Sequence, residues 1–78
     1  MRVPDWPYTS LSDLADVIRE ILDGGQPEAL VDEAWLTDLQ PTGEAADAIA
    51  HQLAEAHGFV ARRAEEEPRD FAFRYREG

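Results

Sequence analysis

The 78 residues include no cysteine and no lysine, so all seven cations are arginine. The missing cysteine excludes a disulfide framework, a thiolate zinc site and a cysteine nucleophile together, and it suits a reducing compartment. Glycine and proline are sparse at five each, while 44% of residues are hydrophobic, so the chain is too apolar for a disordered tail. No apolar run approaches the length of a membrane span, and Met1-Arg2-Val3-Pro4-Asp5 is not the start of a secretory signal. These absences lead to the expectation of a soluble, cytoplasmic protein without membrane association.

The usual signatures of catalysis are missing as well. The chain has no glycine-rich phosphate loop, no nucleophile elbow and no pair of histidines at metal-ligand spacing. Acids are so numerous that two of them must lie close somewhere, so proximity alone does not mark an acid–base pair. The expectation is a protein that is not an enzyme and carries no cofactor.

Acid is what the chain has in plenty: a formal net charge of −10. A GC-rich genome favours arginine and alanine codons, and a salt-rich cytoplasm favours acidic, lysine-poor surfaces. Either explains the composition without reference to function, because net charge speaks to solubility and association rather than to fold. Its distribution says more. Residues 1–58 hold only Arg2 and Arg19, whereas Arg62, Arg63, Arg69, Arg74 and Arg76 all fall in the last 20 positions.

A chain of this length suits one domain, residues 1–78, with no room for a second core. Residues 1–9 contain two prolines and are expected to run extended, with Val3, Trp6 and Tyr8 hiding one edge of the core. Ser10 caps a first helix, and Asp13 at the third helical position completes a capping box. On a helical wheel Leu11, Leu14, Ala15, Val17, Ile18, Ile21 and Leu22 fill one arc of roughly 160°. Gly24-Gly25 ends that helix through the left-handed backbone open to glycine. Pro27 opens a second helix, expected to end near Thr37, with Leu30, Val31, Ala34 and Trp35 buried. Leu36 and Leu39 fall off its buried arc.

A third helix is expected from Glu44 to His57, capped by Thr42. It buries Ala45, Ala46, Ile49, Ala50, Leu53 and Ala56, and turns Glu44, Asp47, Ala48, His51, Gln52 and Glu55 outward. After Gly58 the period changes to two: residues 59–64 and 71–76 read as strands around an acidic turn containing Pro68. In the last strand Phe71, Phe73 and Tyr75 share one face, and Ala72, Arg74 and Arg76 the other. The expected fold class is α+β: an arm at 1–9, three helices over 10–58 and a C-terminal β-hairpin over 59–76. The expected core includes Leu11, Leu14, Ile18, Ile21, Leu30, Ile49, Leu53, Phe59 and Phe73.

The stretch Ile49-Ala50-His51-Gln52-Leu53-Ala54-Glu55-Ala56-His57-Gly58-Phe59-Val60-Ala61-Arg62-Arg63 resembles the winged-helix superfamily. It looks like the end of a recognition helix, a glycine, an apolar pair opening a strand, and basic residues on that strand. The acidic turn and Phe71–Arg76 would be the wing and its return. The resemblance implies DNA binding through the third helix, but groove-reading helices present cations and amides. This helix presents Glu44, Asp47 and Glu55, which repel phosphate, and only His51 and Gln52 remain as base readers.

The candidate partner-binding residues are therefore Glu44, Asp47, His51 and Glu55 on that helix, with Arg62, Arg63, Arg74 and Arg76 on the hairpin. Asp47, His51 and Glu55 recur every four residues, a spacing that can hold a divalent metal or simply form a solvated stripe. The arginines either grip an anion or pair with the protein's own acids. Trp6 and Trp35 are expected in the core or at its rim. The expected function is regulatory protein–protein interaction, with another protein or a second copy as partner. DNA binding by the hairpin arginines is the alternative, and an acidic mimic of DNA that inhibits a nucleic-acid-handling protein is the second.

Overall fold

A computed structural model of the chain describes residues 1–77, and Gly78, the last residue of the expected domain, lies outside them. Three helices and a three-stranded antiparallel sheet follow in the order α1 (Leu11–Asp23), β1 (Ala29–Asp32), α2 (Glu33–Leu39), α3 (Ala46–His57), β2 (Phe59–Arg63) and β3 (Asp70–Tyr75). The class is α+β as expected, but the order is not three helices followed by a hairpin.

α1 forms where the wheel places it. The Ser10 hydroxyl accepts from the Asp13 N–H at 3.2 Å, while the Asp13 carboxylate accepts from the Thr9 N–H at 3.1 Å and from the Thr9 hydroxyl. The return bond of the capping box thus lands one residue before the cap. Leu14, Ala15, Ile18, Ile21 and Leu22 are buried. Of the paired glycines only Gly25 takes the left-handed backbone, with φ of 96°.

Residues 29–32 correct the sequence reading, because they form a strand rather than the first turns of a helix. An apolar segment this short fits either state, and pairing decides between them. β1 lies antiparallel to β3 in the register Ala29↔Phe73, Leu30↔Ala72, Val31↔Phe71. Ala29 and Val31 point into the core and Leu30 is only partly buried. Asp32 ends the strand and caps α2, its carboxylate accepting the Ala34 N–H at 2.9 Å. That later start rotates the helix's buried side: Leu36 is fully buried and Ala34 exposed.

α3 starts two residues later than expected. Thr42 does not cap it. Its hydroxyl accepts the Glu44 N–H at 3.4 Å and donates to the Glu44 carboxylate at 2.9 Å, holding a turn before the helix. The inner face is Ala46, Ile49, Ala50, Leu53 and Ala54, so Ala45 and Ala56 are not buried. Gly58, with φ of 77°, turns the chain directly into β2.

The sheet order is β1-β3-β2, so the last strand is central. Phe59, Phe71 and Phe73 lie between the sheet and the helices in one cluster with Leu14, Ile18, Leu36 and Ile49. Leu11 packs against this cluster while partly exposed. Val3 and Tyr8 of the arm are buried, but Trp6 is 62% exposed, against expectation. Trp35 packs partly buried, edge-on to Tyr8 at 5.1 Å between ring centroids.

The two sheet edges differ. Beyond β1 the arm adds a short parallel bridge between Arg2 and Leu30. There the Val3 N–H donates to the Leu30 carbonyl at 2.9 Å, and the Leu30 N–H to the Met1 carbonyl at 2.8 Å. Beyond β2 no element follows among the described residues. No described helix is long and apolar enough to cross a membrane.

Candidate functional site

The outer face of α3 and the adjoining hairpin bring together most of the residues singled out by sequence. Their centre is Arg63, at the end of β2. Its Nε and Nη2 donate to the two carboxylate oxygens of Asp47 at 3.2 and 2.6 Å. Its Nη1 donates to Glu33 Oε2 at 3.0 Å and to the Pro68 carbonyl at 2.6 Å. The guanidinium also sits 4.6 Å from the centre of the Phe71 ring, its cross-strand neighbour. A planar fork with five donors is suited to bridging two carboxylates and a carbonyl at once, and a lysine in its place loses that geometry.

This cluster ties α2, α3 and the hairpin turn together, and it shifts the titration of its members. The hydrogen bonds Arg63 donates to Asp47, and then to Glu33, raise its pKa. The same bond from Arg63 holds the Asp47 carboxyl below its ordinary range. Glu44 is held low by hydrogen bonds from Gln52 first, then Thr42 and Gln40. The Gln52 amide reaches the Glu44 carboxylate at 2.6 Å across the first turns of α3.

The His51 ring does not join its neighbours into a ligand set. Its Nδ1 faces the Asp47 carbonyl at 2.8 Å and donates to it, because a carbonyl only accepts. Both Asp47 carboxylate oxygens are already bound to Arg63. Among the described residues no group of three histidines, cysteines or acids converges as a metal site would require.

Other arginines also pair with the protein's own acids. Arg74 donates to Glu28 at 3.2 Å, and Arg2 engages Asp70 with both Nη atoms. Asp70 stands on the central strand and is 2% exposed, the one charged side chain buried among the described residues. Among those residues Arg62, Arg69 and Arg76 make no ion pair. Arg62, Arg74 and Arg2 share the open face of the sheet, around a depression of about 300 Å³ floored by Leu30 and Ala72 and rimmed by Glu65–Glu67.

A second depression, of about 270 Å³, lies where α3 meets β2. His51, Ala54 and Glu55 of the helix line it with Phe59, Ala61 and Arg76. The structure therefore groups Asp47 with Arg63, and His51 and Glu55 with Arg76, and it puts Arg62 and Arg74 on the far face. Glu28, Glu33, Arg2 and Asp70 escaped the sequence reading. Arg63 lies 16 residues from Asp47 and 30 from Glu33, and Arg2 lies 68 from Asp70, so no local spacing signals these pairs.

No known family model, curated protein or solved structure matches the chain.

Proposed function

We propose that the chain is a non-catalytic, winged-helix-type regulatory module that works by binding a basic protein through the outer face of α3 and the neighbouring hairpin. The fold part of this reading is supported by the way α3 leads through Gly58 straight into a β2–β3 hairpin. The insertion of β1 beside that hairpin completes a small sheet against the helices. The absence of cysteine suits action in a reducing cytoplasm.

One observation carries the functional part. On the face that a DNA-binding module of this type turns to phosphate, the central cation is already saturated by the protein's own acids. Arg63 has little left to offer an anion, while Glu55 and the run Glu65–Glu67 remain exposed. Phosphate neutralisation supplies most DNA affinity, so such a face disfavours nucleic acid. It favours a basic protein, whose encounter it would accelerate by long-range attraction.

Fluorescence anisotropy with a labelled mixed-sequence DNA duplex at low ionic strength tests this directly. The reading expects no binding at micromolar protein. Salt-sensitive binding, abolished by Arg62→Ala with Arg76→Ala, would move the function to DNA recognition by the unpaired arginines.

A further inference from the structure

We infer that the bare edge of β2 is a docking rail for an extended segment of the partner, which adds as a fourth strand. This segment places a basic side chain against Glu55 and apolar ones over Val60. The inference rests on the protein-binding reading above and specifies how that binding takes place.

The hydrogen-bond phase of the sheet shows which groups are free. Arg76 N–H donates to the Gly58 carbonyl at 3.1 Å, and Ala64 N–H to the Asp70 carbonyl at 2.9 Å. With the register Val60↔Arg74 and Arg62↔Ala72 between them, Val60 and Arg62 are the residues bonded to β3. The N–H and C=O groups of Phe59, Ala61 and Arg63 therefore point away from the sheet. Among the described residues no side chain or loop hydrogen-bonds to them. The opposite edge, by contrast, is covered by the arm at Met1–Val3. Proteins usually blunt such a row of unpaired groups, and a binding partner can complete it.

The two faces of the edge differ in chemistry, and that difference selects the occupant. An added residue opposite Ala61 shares its face and meets the depression beside α3, where Glu55 is exposed and without an ion pair among the described residues. Arg63 on the same face is held by Asp47 and Glu33, and Arg76, which also lines the depression, forms no ion pair with Glu55. Residues on either side of that position fall on the open face, beside Val60, which is 45% exposed. The fitting segment alternates basic and apolar residues. A second copy fits poorly, because it would join two bodies each of charge −10 and its own Arg63 is already held by Asp47 and Glu33.

The test is amide hydrogen exchange by NMR on the full chain, with and without a peptide of alternating lysine and valine. In the free protein Val60 and Arg62 exchange slowly and Phe59, Ala61 and Arg63 rapidly. With peptide the second set is expected to slow by about tenfold or more while the first is unchanged. Ala61→Pro removes an outward N–H that the ladder does not use, so the fold persists and binding is lost. Glu55→Lys, at an exposed position, weakens binding about fivefold. A peptide of alternating glutamate and valine that binds equally well would refute the charge argument. Peptide binding without new protection on β2 would overturn the rail while leaving protein binding standing. Concentration-dependent protection of Phe59, Ala61 and Arg63 without peptide would overturn the occupant in favour of a second copy. If no basic peptide binds and DNA does, the protein-binding reading fails along with this one.

Discussion

Removing the Arg2 side chain isolates the one buried charge in the described structure. Asp70 is 2% exposed on the central strand, and both its carboxylate oxygens accept from Arg2, whose own side chain is 52% exposed. Breaking a fully buried ion pair from one side costs about 3–5 kcal/mol, because it strands the other charge. Arg2 is half in water, and its truncation opens a path for solvent to Asp70, so the expected loss for Arg2→Ala is about 2 kcal/mol. A chain of 78 residues has a total stability of only about 4–12 kcal/mol, so this is a sizeable share. Urea denaturation followed by far-UV circular dichroism reads it as a lower midpoint with an unchanged slope. Asp70→Asn added to Arg2→Ala replaces the stranded charge with a neutral amide and is expected to restore about 1 kcal/mol. A loss below about 0.5 kcal/mol for Arg2→Ala, the level of an exposed pair, would refute the reasoning. So would further destabilisation by the second substitution.

Leu53→Ala in the inner face of α3, at a site 3% exposed, is expected to lower the urea-derived stability by about 2–5 kcal/mol. Trp6→Ala should change it by less than about 1 kcal/mol, because that ring remains largely in water. Acid should weaken the fold through Asp13, Glu44 and Asp47, whose carboxyl pKa values are all lowered in the folded chain. A lowered folded pKa contributes stability that is complete above the unfolded value and lost as pH falls through the folded one. Thermal midpoints should therefore stay level above about pH 5 and decline below about pH 4. Asp47→Asn should flatten part of that decline.

What sequence conveys about this chain depends on how far apart the deciding residues lie. α1 is readable because its apolar residues fill one arc and its cap is local, so every contact that defines it is within four positions. The β2–β3 hairpin is readable for the same reason: period two on both sides of a short turn. β1 is not, because Ala29-Leu30-Val31 suits a helical turn equally well. Its state is decided by pairing with Phe71–Phe73, about 40 residues later. The misplaced start of α2 and the burial of Leu36 both follow from that strand.

The candidate site divides in the same way. The acidic outer face of α3 follows from helical spacing alone, with Asp47, His51 and Glu55 exposed as expected. Whether its charges stand free is a tertiary question. Arg63 reads equally well as an anion grip or an internal clamp until Asp47, Glu33 and the Pro68 carbonyl are seen around it. The free edge of β2 is likewise invisible in one dimension, because only the strand order shows which strand lacks a neighbour.

The proposed function requires the acidic α3 face and hairpin to engage a basic protein rather than nucleic acid. Affinity capture from the native host, with half of the lysate treated with nuclease and the bound material identified by mass spectrometry, tests it most directly. The expected result is a basic protein that is retained equally in both halves and recovered in smaller amount, about fivefold weaker, when the bait carries Glu55→Lys. Capture of DNA fragments alone, or of proteins that disappear on nuclease treatment, would contradict it.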